Sequence, residues 1–332
     1  MEWLITGAAG FIGRHVVSEA LDQGKRVRAI VRPTSDLSGI QWIPHPAVRV
    51  ERCDLRSPAE LPNLLSGVDV VIHLAGLKQG DLKAQISGTV APTERLLEAM
   101  VEAGARRMVL VSSLSVYDFR KIACFGQLDE DSPLESQPGE REPYCQAKLL
   151  QEHVVRRYGE KHGLDTTILR PGVVIGPGNT WTDQLGIRLN RWLWLRFSAK
   201  GMPMQLTYVE NCASAIVLAA ESDAAIGQTF NVVDEELPTR RHYMAELRRR
   251  LPSRPFVLPL SGSLMRLLAE KALKLNKTLS DGRARLPWIA DPARLETQLK
   301  PLKFSNDRIK RVLGWHPRFG LGEALDRCTG RR

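Results

Sequence analysis

Two tyrosine–lysine pairs at a spacing of four, Tyr144–Lys148 and Tyr117–Lys121, carry the side chains best suited to proton chemistry in this chain. On a helix, residues i and i+4 share a face, so a phenol and an ammonium at that spacing meet a common substrate. A free tyrosine, with a pKa of about 10, is a poor base at neutral pH. A neighbouring cation stabilises the phenolate, and the hydroxyl then exchanges the proton that accompanies hydride transfer at an alcohol or ketone. Tyr144 follows Pro143, a residue favoured at helix starts, and heads an amphipathic run. Tyr117 follows an apolar strand in irregular sequence, where the two side chains would not align. The helical pair is the expected acid/base site.

Hydride chemistry needs a dinucleotide, and the first thirteen residues have the form of a site for one. A short apolar strand (Trp3-Leu4-Ile5) runs into Gly7, Gly10 and Gly13, and a helix opens at Phe11 and Ile12. Glycines allow a tight turn and a close backbone approach to a pyrophosphate, and the free N–H groups of the helix start face the anion. The end of the second strand bears on the cofactor. Sites for NAD usually place Asp or Glu there, to bond the ribose 2′-hydroxyl. This chain has Arg32, with Thr34 and Ser35 nearby. A guanidinium pairs with a phosphate, so NADP(H) is expected, with NAD(H) the alternative.

These groups are positioned by alternating strands and helices over the first two-thirds of the chain. Strands are expected at Arg26–Val31, Val48–Glu51, Val68–Leu74, Arg107–Ser112 and Thr166–Leu169, with long helices near 82–103 and 143–162. Nearly all-apolar strands in βαβ order read as a parallel sheet buried on both faces. The core pattern resumes at Leu206–Val209, a helix from Glu210 to Ala220, and Thr229–Val233. The expected fold is α/β: a Rossmann-type doubly wound parallel sheet with a smaller, mostly helical substrate domain. The dinucleotide domain takes 1–175 plus about 206–235. A discontinuous substrate domain takes about 176–205 plus 236–332.

In that second part Gln184–Phe197 reads as a basic, aromatic helix, with Leu185, Leu189, Trp192 and Leu193 on one stripe. Leu260–Leu275 reads as another apolar helix with cations. Such stripes pack on their own domain, or form a substrate lid or a lipid-facing surface that suits a lipophilic alcohol or ketone. Alternatively Arg188, Arg191 or Arg240 clamps the diphosphate of a sugar nucleotide.

The chain of 332 residues is 43% hydrophobic and 25% charged, as in a soluble globular protein with ample core. Its net charge is +10, but the arginines are dispersed and no low-complexity basic tail occurs, so nucleic acid is not an expected partner. Basic patches at Arg240-Arg241, Arg248-Arg249-Arg250 and Arg331-Arg332 read as solvated faces. Five unpaired-looking cysteines argue against disulfides and zinc, and no metal is expected. With a strand at residue 3 and no apolar run approaching ~20 residues, a cytoplasmic location is expected, with peripheral membrane contact left open.

The glycine turn Thr6–Gly13 (TGAAGFIG) and the tyrosine–lysine pair together resemble the extended short-chain dehydrogenase/reductase superfamily, and the resemblance runs nearly end to end. It implies that Ser113, in Ser112-Ser113-Leu114-Ser115-Val116-Tyr117, bonds the substrate oxygen. Tyr144 would be the acid/base and Lys148 would hold the nicotinamide ribose. Asp54, followed by Leu55, would bond the adenine amine. His73 precedes Leu74, Ala75 and Gly76, where the fourth strand passes the cofactor, and is either a cofactor contact or a core histidine. Pro171 and Gly172 would pack on the nicotinamide. A homodimer through the two long helices is implied by the same analogy.

Departures from the family pattern narrow the reaction. Dehydratases carry Asp-Glu where this chain has Leu114 and Ser115. Epimerases often carry Asn where Gln85 precedes Gly88-Thr89, and again where Gly172-Val173-Val174 occurs. Tyr208-Val209-Glu210-Asn211 and Val31–Asp36 resemble the 3β-hydroxysteroid-dehydrogenase-like and dihydroflavonol-reductase-like members. The expected activity is hydride transfer at a secondary alcohol or ketone of a small molecule. The alternatives are a sugar-nucleotide 4-epimerase with tightly held cofactor and a non-catalytic cofactor sensor.

Overall fold

A computed structural model describes residues 1–57, 61–198, 201–280 and 300–330. Strands β1 (Glu2–Thr6), β2 (Arg26–Val31), β3 (Val48–Arg52), β4 (Val70–His73) and β5 (Arg107–Val111) alternate with helices. The helices are α1 (Phe11–Asp22), α2 (Leu61–Leu65), α3 (Leu82–Gln85) and α4 (Ala91–Ala103). After β6 (Gln127–Leu128) come α5 (Pro143–His162), β7 (Asp165–Pro171) and β8 (Val173–Ile175). Then follow β9 (Gly186–Arg188), β10 (Leu193–Ser198), β11 (Leu206–Tyr208), α6 (Val209–Glu221) and β12 (Thr229–Val232).

Seven strands form the central sheet in the order β12-β7-β5-β4-β1-β2-β3, parallel throughout. Side chains alternate across it. Trp3 and Ile5 pack with Val16, Val17 and Ala20 of α1 and with Ala213, Ile216 and Val217 of α6. Leu4 points the other way, with Leu61 and Leu65 of α2, Leu96 and Met100 of α4, and Val154 and Val155 of α5. Burial on both faces is why the central strands β1, β4 and β5 are almost wholly apolar. The chain leaves β1 for β2 and β3 on one side, then returns to β4 on the other. That reversal opens a crevice at the carboxyl ends of β1 and β4, where Thr6 lies opposite His73.

The expected helix over 82–103 is α3 and α4 joined through a π-helical turn, Ile86–Val90. Gly88 sits in it because a Cβ there would lie 2.4 Å from Leu77 Cδ1.

Gln184–Phe197 is not a helix. β9 and β10 form an antiparallel hairpin, and β10 pairs in parallel with β13 (Phe256–Ser261). Asn190 turns the chain, its Oδ1 accepting from the N–H groups of Trp192 and Leu193 at 2.8 and 2.9 Å. Gly186 stands at φ 144°, and a Cβ there would lie 1.8 Å from the Leu195 carbonyl oxygen. Aromatic and apolar residues at 192–195 satisfy a period of two as well as the helical stripe, and the Asx turn decides for the hairpin. Leu185 is buried there, whereas Leu189 and Trp192 are exposed. From Pro238 onward the chain is helical as expected at α7 (Arg240–Arg250) and α8 (Gly262–Ser280), but β13 intervenes.

Candidate active site

The turn between β1 and α1 is built so that only glycine fits. A Cβ on Gly13 would lie 2.1 Å from the Gly7 carbonyl oxygen, and one on Gly7, at φ +68°, would meet Ala75 N at 3.0 Å. Gly10 caps α1 without a side-chain acceptor, and the first turn, with Phe11, Ile12 and Gly13, carries no acid. Its backbone N–H groups are therefore available to an anion. Such a cradle, closed to any side chain, fits a pyrophosphate.

Arg32 is exposed at the end of β2, and Arg52 stands opposite the neighbouring Val31 on β3. The Arg52 guanidinium ties down the loop beyond, donating to the carbonyls of Pro33 at 2.6 Å and Ser35 at 3.3 Å. Two cations thus stand beyond the ends of β2 and β3. Asp54 lies beyond β3, but Arg56 grips it with three side-chain bonds, Nε to Oδ1 at 2.9 Å and to Oδ2 at 3.0 Å, and Nη2 to Oδ2 at 2.7 Å. Those bonds, with the Arg56 N–H, hold its carboxyl down to about 2. Leu55 is buried beside it. Leu74, Ala75 and Gly76 continue β4 over the glycine turn, and Pro171 is buried at the end of β7.

Ser113, Tyr144 and Lys148 come together at the end of β5. Tyr144 is the second residue of α5, and the Ser113 hydroxyl faces its phenol. Burial pushes the Tyr144 pKa up, and the nearby Ser113 hydroxyl offsets part of that rise. The 113–117 segment is held against the helix start from below. Cys145 Sγ donates to the Ser115 carbonyl at 3.0 Å, and Arg141 donates to the carbonyls of Ser115 and Tyr117 at 3.3 and 3.2 Å.

Lys148, one turn beyond Tyr144, is buried, and burial brings its pKa down to about 8. Its ammonium donates to the Val111 carbonyl at 2.9 Å and to Gln151 Oε1 at 2.8 Å. The direction of every bond beyond it is fixed. Thr93 donates its hydroxyl hydrogen to the Thr89 carbonyl, so its oxygen can only accept from Gln151 Nε2, at 2.7 Å, and from His73 Nε2, at 2.9 Å. His73 therefore carries its proton on Nε2 and accepts at Nδ1 from the Thr6 hydroxyl, at 2.7 Å. Thr6 Oγ1 in turn accepts the N–H groups of Leu74 and Ala75. His73 is thus a core histidine, buried and neutral, with its pKa pushed down to about 3 by burial and by Lys148. It bonds one cofactor-side strand to the support of Lys148.

Tyr117 is not available to a substrate. It is fully buried, donates to Asn231 Oδ1 at 2.8 Å, and accepts from Arg170 Nη1 at 2.7 Å. Arg170 grips Glu152 of α5 bidentately, at 2.9 and 2.6 Å. The second tyrosine–lysine match is thus structural. Lys121 points away, donating to Ser136 Oγ.

Sequence reasoning missed Gln151, Thr93 and the Arg170–Glu152 pair. Gln151 was findable, since it lies three residues after Lys148 on the same helix. Thr93 has no such signal. Asn211, noted only for its motif, accepts the N–H groups of Arg318 and Phe319 at 2.9 and 3.0 Å and donates to Asp234 at 2.9 Å. Burial raises the Asp234 carboxyl to about 7. Among the described residues no group of three or more His, Cys, Asp or Glu side chains could hold a metal.

Comparison with known proteins agrees with this architecture. "Sterol demethylase protein B" of Methylococcus capsulatus is 31% identical over 53% of this chain and 52% of its own length. The chain thus spans about half of that relative. "3beta-hydroxysteroid-dehydrogenase/decarboxylase isoform 1" of Arabidopsis thaliana is 26% identical over 98% of this chain and 78% of its own. The solved UDP-glucuronic acid 4-epimerase from Bacillus cereus, in complex with NAD, superposes with a TM-score of 0.76 at 21% identity, over 100% of this chain and 98% of that one. The model of the NAD dependent epimerase/dehydratase family matches residues 3–232, and the chain belongs to that family.

Proposed function

We propose that the chain is an oxidoreductase that moves hydride at a secondary alcohol or ketone of a small molecule through Ser113, Tyr144 and Lys148, and that it favours NADP(H). The observation that carries the reading is the meeting of Ser113 with the phenol of Tyr144 at the end of β5, with Lys148 buried one turn below and bonded to the Val111 carbonyl. When bound, the dinucleotide would give or take the hydride. Gly7, Gly10, Phe11, Ile12 and Gly13 would hold its pyrophosphate, and Arg32 its 2′-phosphate. Asp54, Leu55, Leu74, Ala75, Gly76 and Pro171 would line the rest of its bed.

Ser113 would orient the substrate oxygen. Tyr144, kept protonated by burial, would pass its phenolic proton to that oxygen as the carbonyl becomes an alcohol, and take it back in oxidation. Lys148 has two of its three N–H groups engaged, which leaves one for a ribose hydroxyl. Its positive charge would offset the phenolate that the proton transfer leaves. Residues 176–205 and 236–332 would supply the substrate pocket. Leu114 and Ser115, which cannot act as an acid/base pair, speak against elimination of water. The sterol-directed relatives support a lipophilic alcohol or ketone.

One observation favours the second reading, a sugar-nucleotide 4-epimerase. Arg240 is buried beside Arg196, and burial together with that neighbour brings its pKa down to about 10. Crowded guanidinia suit a diphosphate. Purified protein separates the two. Net oxidation of NADPH with a hydrophobic ketone supports the oxidoreductase. Nucleotide retained through gel filtration, with a UDP-hexose interconverted and no net redox change, overturns it.

A further inference from the structure

Large apolar side chains are exposed at the β9–β10 hairpin tip, along β13 and in the first turns of α8. At the hairpin tip Leu189 and Trp192 are 54% and 55% exposed. Phe256, the first residue of β13, is 61% exposed and adjoins that tip, its N–H donating to the Trp192 carbonyl at 2.7 Å. Alternation along β10 and β13 sends Trp194 and Val257 into the core with Tyr208 and Tyr243. Phe256 and Leu258 take the other direction, into solvent. Helix α8 follows directly, and there Leu264, Leu267, Lys271 and Lys274, at spacings of three, four and three, form an exposed stripe.

The charges around these groups are mainly positive. Residues 184–198 and 247–269 contain no Asp or Glu, and Glu270, exposed beside Lys271 on α8, is the one acid that follows closely on the second of these stretches. Arg188, Arg191, Arg248 and Arg254 are exposed, and the Arg191 guanidinium lies 4.9 Å over the Trp192 ring. Arg248 donates to the Arg254 carbonyl, which brings the end of α7 to the same rim.

We propose that this surface, centred on Trp192, Phe256, Leu264 and Leu267, docks on the face of an anionic lipid bilayer. An indole, a phenyl ring and leucines at the depth of the headgroups, ringed by lysines and arginines, combine apolar burial with attraction to lipid phosphates. Among the described residues no helix is long and apolar enough to cross a membrane, so the contact lies on the surface. A second copy of the chain fits poorly, because a two-fold contact would set Arg191 and Arg254 against like charges. Aliphatic leucines offer nothing to a nucleic-acid backbone. The inference does not depend on the reaction proposed above.

The test uses the full chain and extruded vesicles of equal parts phosphatidylglycerol and phosphatidylcholine, against phosphatidylcholine alone. The protein should co-sediment with the anionic vesicles and be released by salt. Trp192→Ser/Phe256→Ser and, separately, Lys271→Glu/Lys274→Glu should each weaken binding at least about tenfold. Both should keep the wild-type melting transition. The charge-reversal pair leaves every apolar group in place and guards against misfolding in the first. Quenching of indole emission by brominated lipid should fall in Trp192→Phe. No binding to anionic vesicles at low salt, binding that both variants retain, or a concentration-dependent dimer that the variants abolish would each overturn the proposal.

Discussion

Gln151 turns its amide oxygen to the Lys148 ammonium at 2.8 Å and its amide nitrogen to Thr93 at 2.7 Å. Because Thr93 can only accept at that contact, the amide cannot reverse, and Lys148 always meets an acceptor. Gln151→Leu removes this acceptor and should lower the Lys148 pKa further below about 8. Dinucleotide affinity, measured against pH, should weaken as Lys148 loses its proton. The midpoint should shift to lower pH in Gln151→Leu and to higher pH in Gln151→Glu. An unchanged midpoint in both would show that Gln151 only fills space.

Tyr144→Phe and Tyr117→Phe should fail in different ways. The first removes the phenol beside Ser113 and should cut turnover about 10²–10⁴-fold with little change in melting temperature. The second deprives Arg170 and Asn231 of a buried partner and should cost about 1–3 kcal/mol of stability while turnover persists in the folded fraction. A dead Tyr117→Phe beside a working Tyr144→Phe would reverse the assignment.

His73 makes stability depend on acid. Its folded pKa of about 3 lies below the ordinary 6.5, so below pH 6.5 the unfolded chain takes up a proton that the folded chain refuses. Stability contributed by neutral His73 is therefore lost as pH falls from 6.5 toward 3, by about 2 kcal/mol at pH 5. Asp234, raised to about 7, acts in the opposite sense between pH 4 and 7, so the variant must be compared with wild type at each pH. His73→Gln should melt nearer to wild type at pH 5 than at pH 7. An equal gap at both values would contradict a buried neutral imidazole.

Arg32→Ala should weaken NADP(H) about 10–100-fold and leave NAD(H) nearly unchanged, since a charge-assisted bond is worth about 1.5–3 kcal/mol. Binding of the two cofactors, titrated separately, reads this directly. Equal losses for both would place Arg32 against the adenine instead of a 2′-phosphate.

The parallel sheet was legible because strands buried on both faces must be apolar throughout, and because Gly7 and Gly13 leave no room for a side chain. That Tyr144 and Lys148 share one helix was legible from Pro143, which opens α5. The 184–197 stretch was misread because Trp192–Leu195 satisfies two periods at once, and Asn190, a single side chain, selects the hairpin. The support of Lys148 was illegible for a different reason. Thr6, His73, Thr93 and Gln151 come from four elements, and only the packed sheet brings them into one line.

Asn211 gives the C-terminal segment a place in the order of synthesis. The central sheet has all its strands once Val232 has left the ribosome, whereas Arg318 and Phe319, which satisfy the Asn211 oxygen, are made several seconds later at about 5–20 residues per second. During that interval the amide and its neighbour Asp234 must remain hydrated, and the first turn of α6 stays unsealed. Closure by residues 318–319 is thus a late event in the birth of the protein, after the dinucleotide cradle has formed.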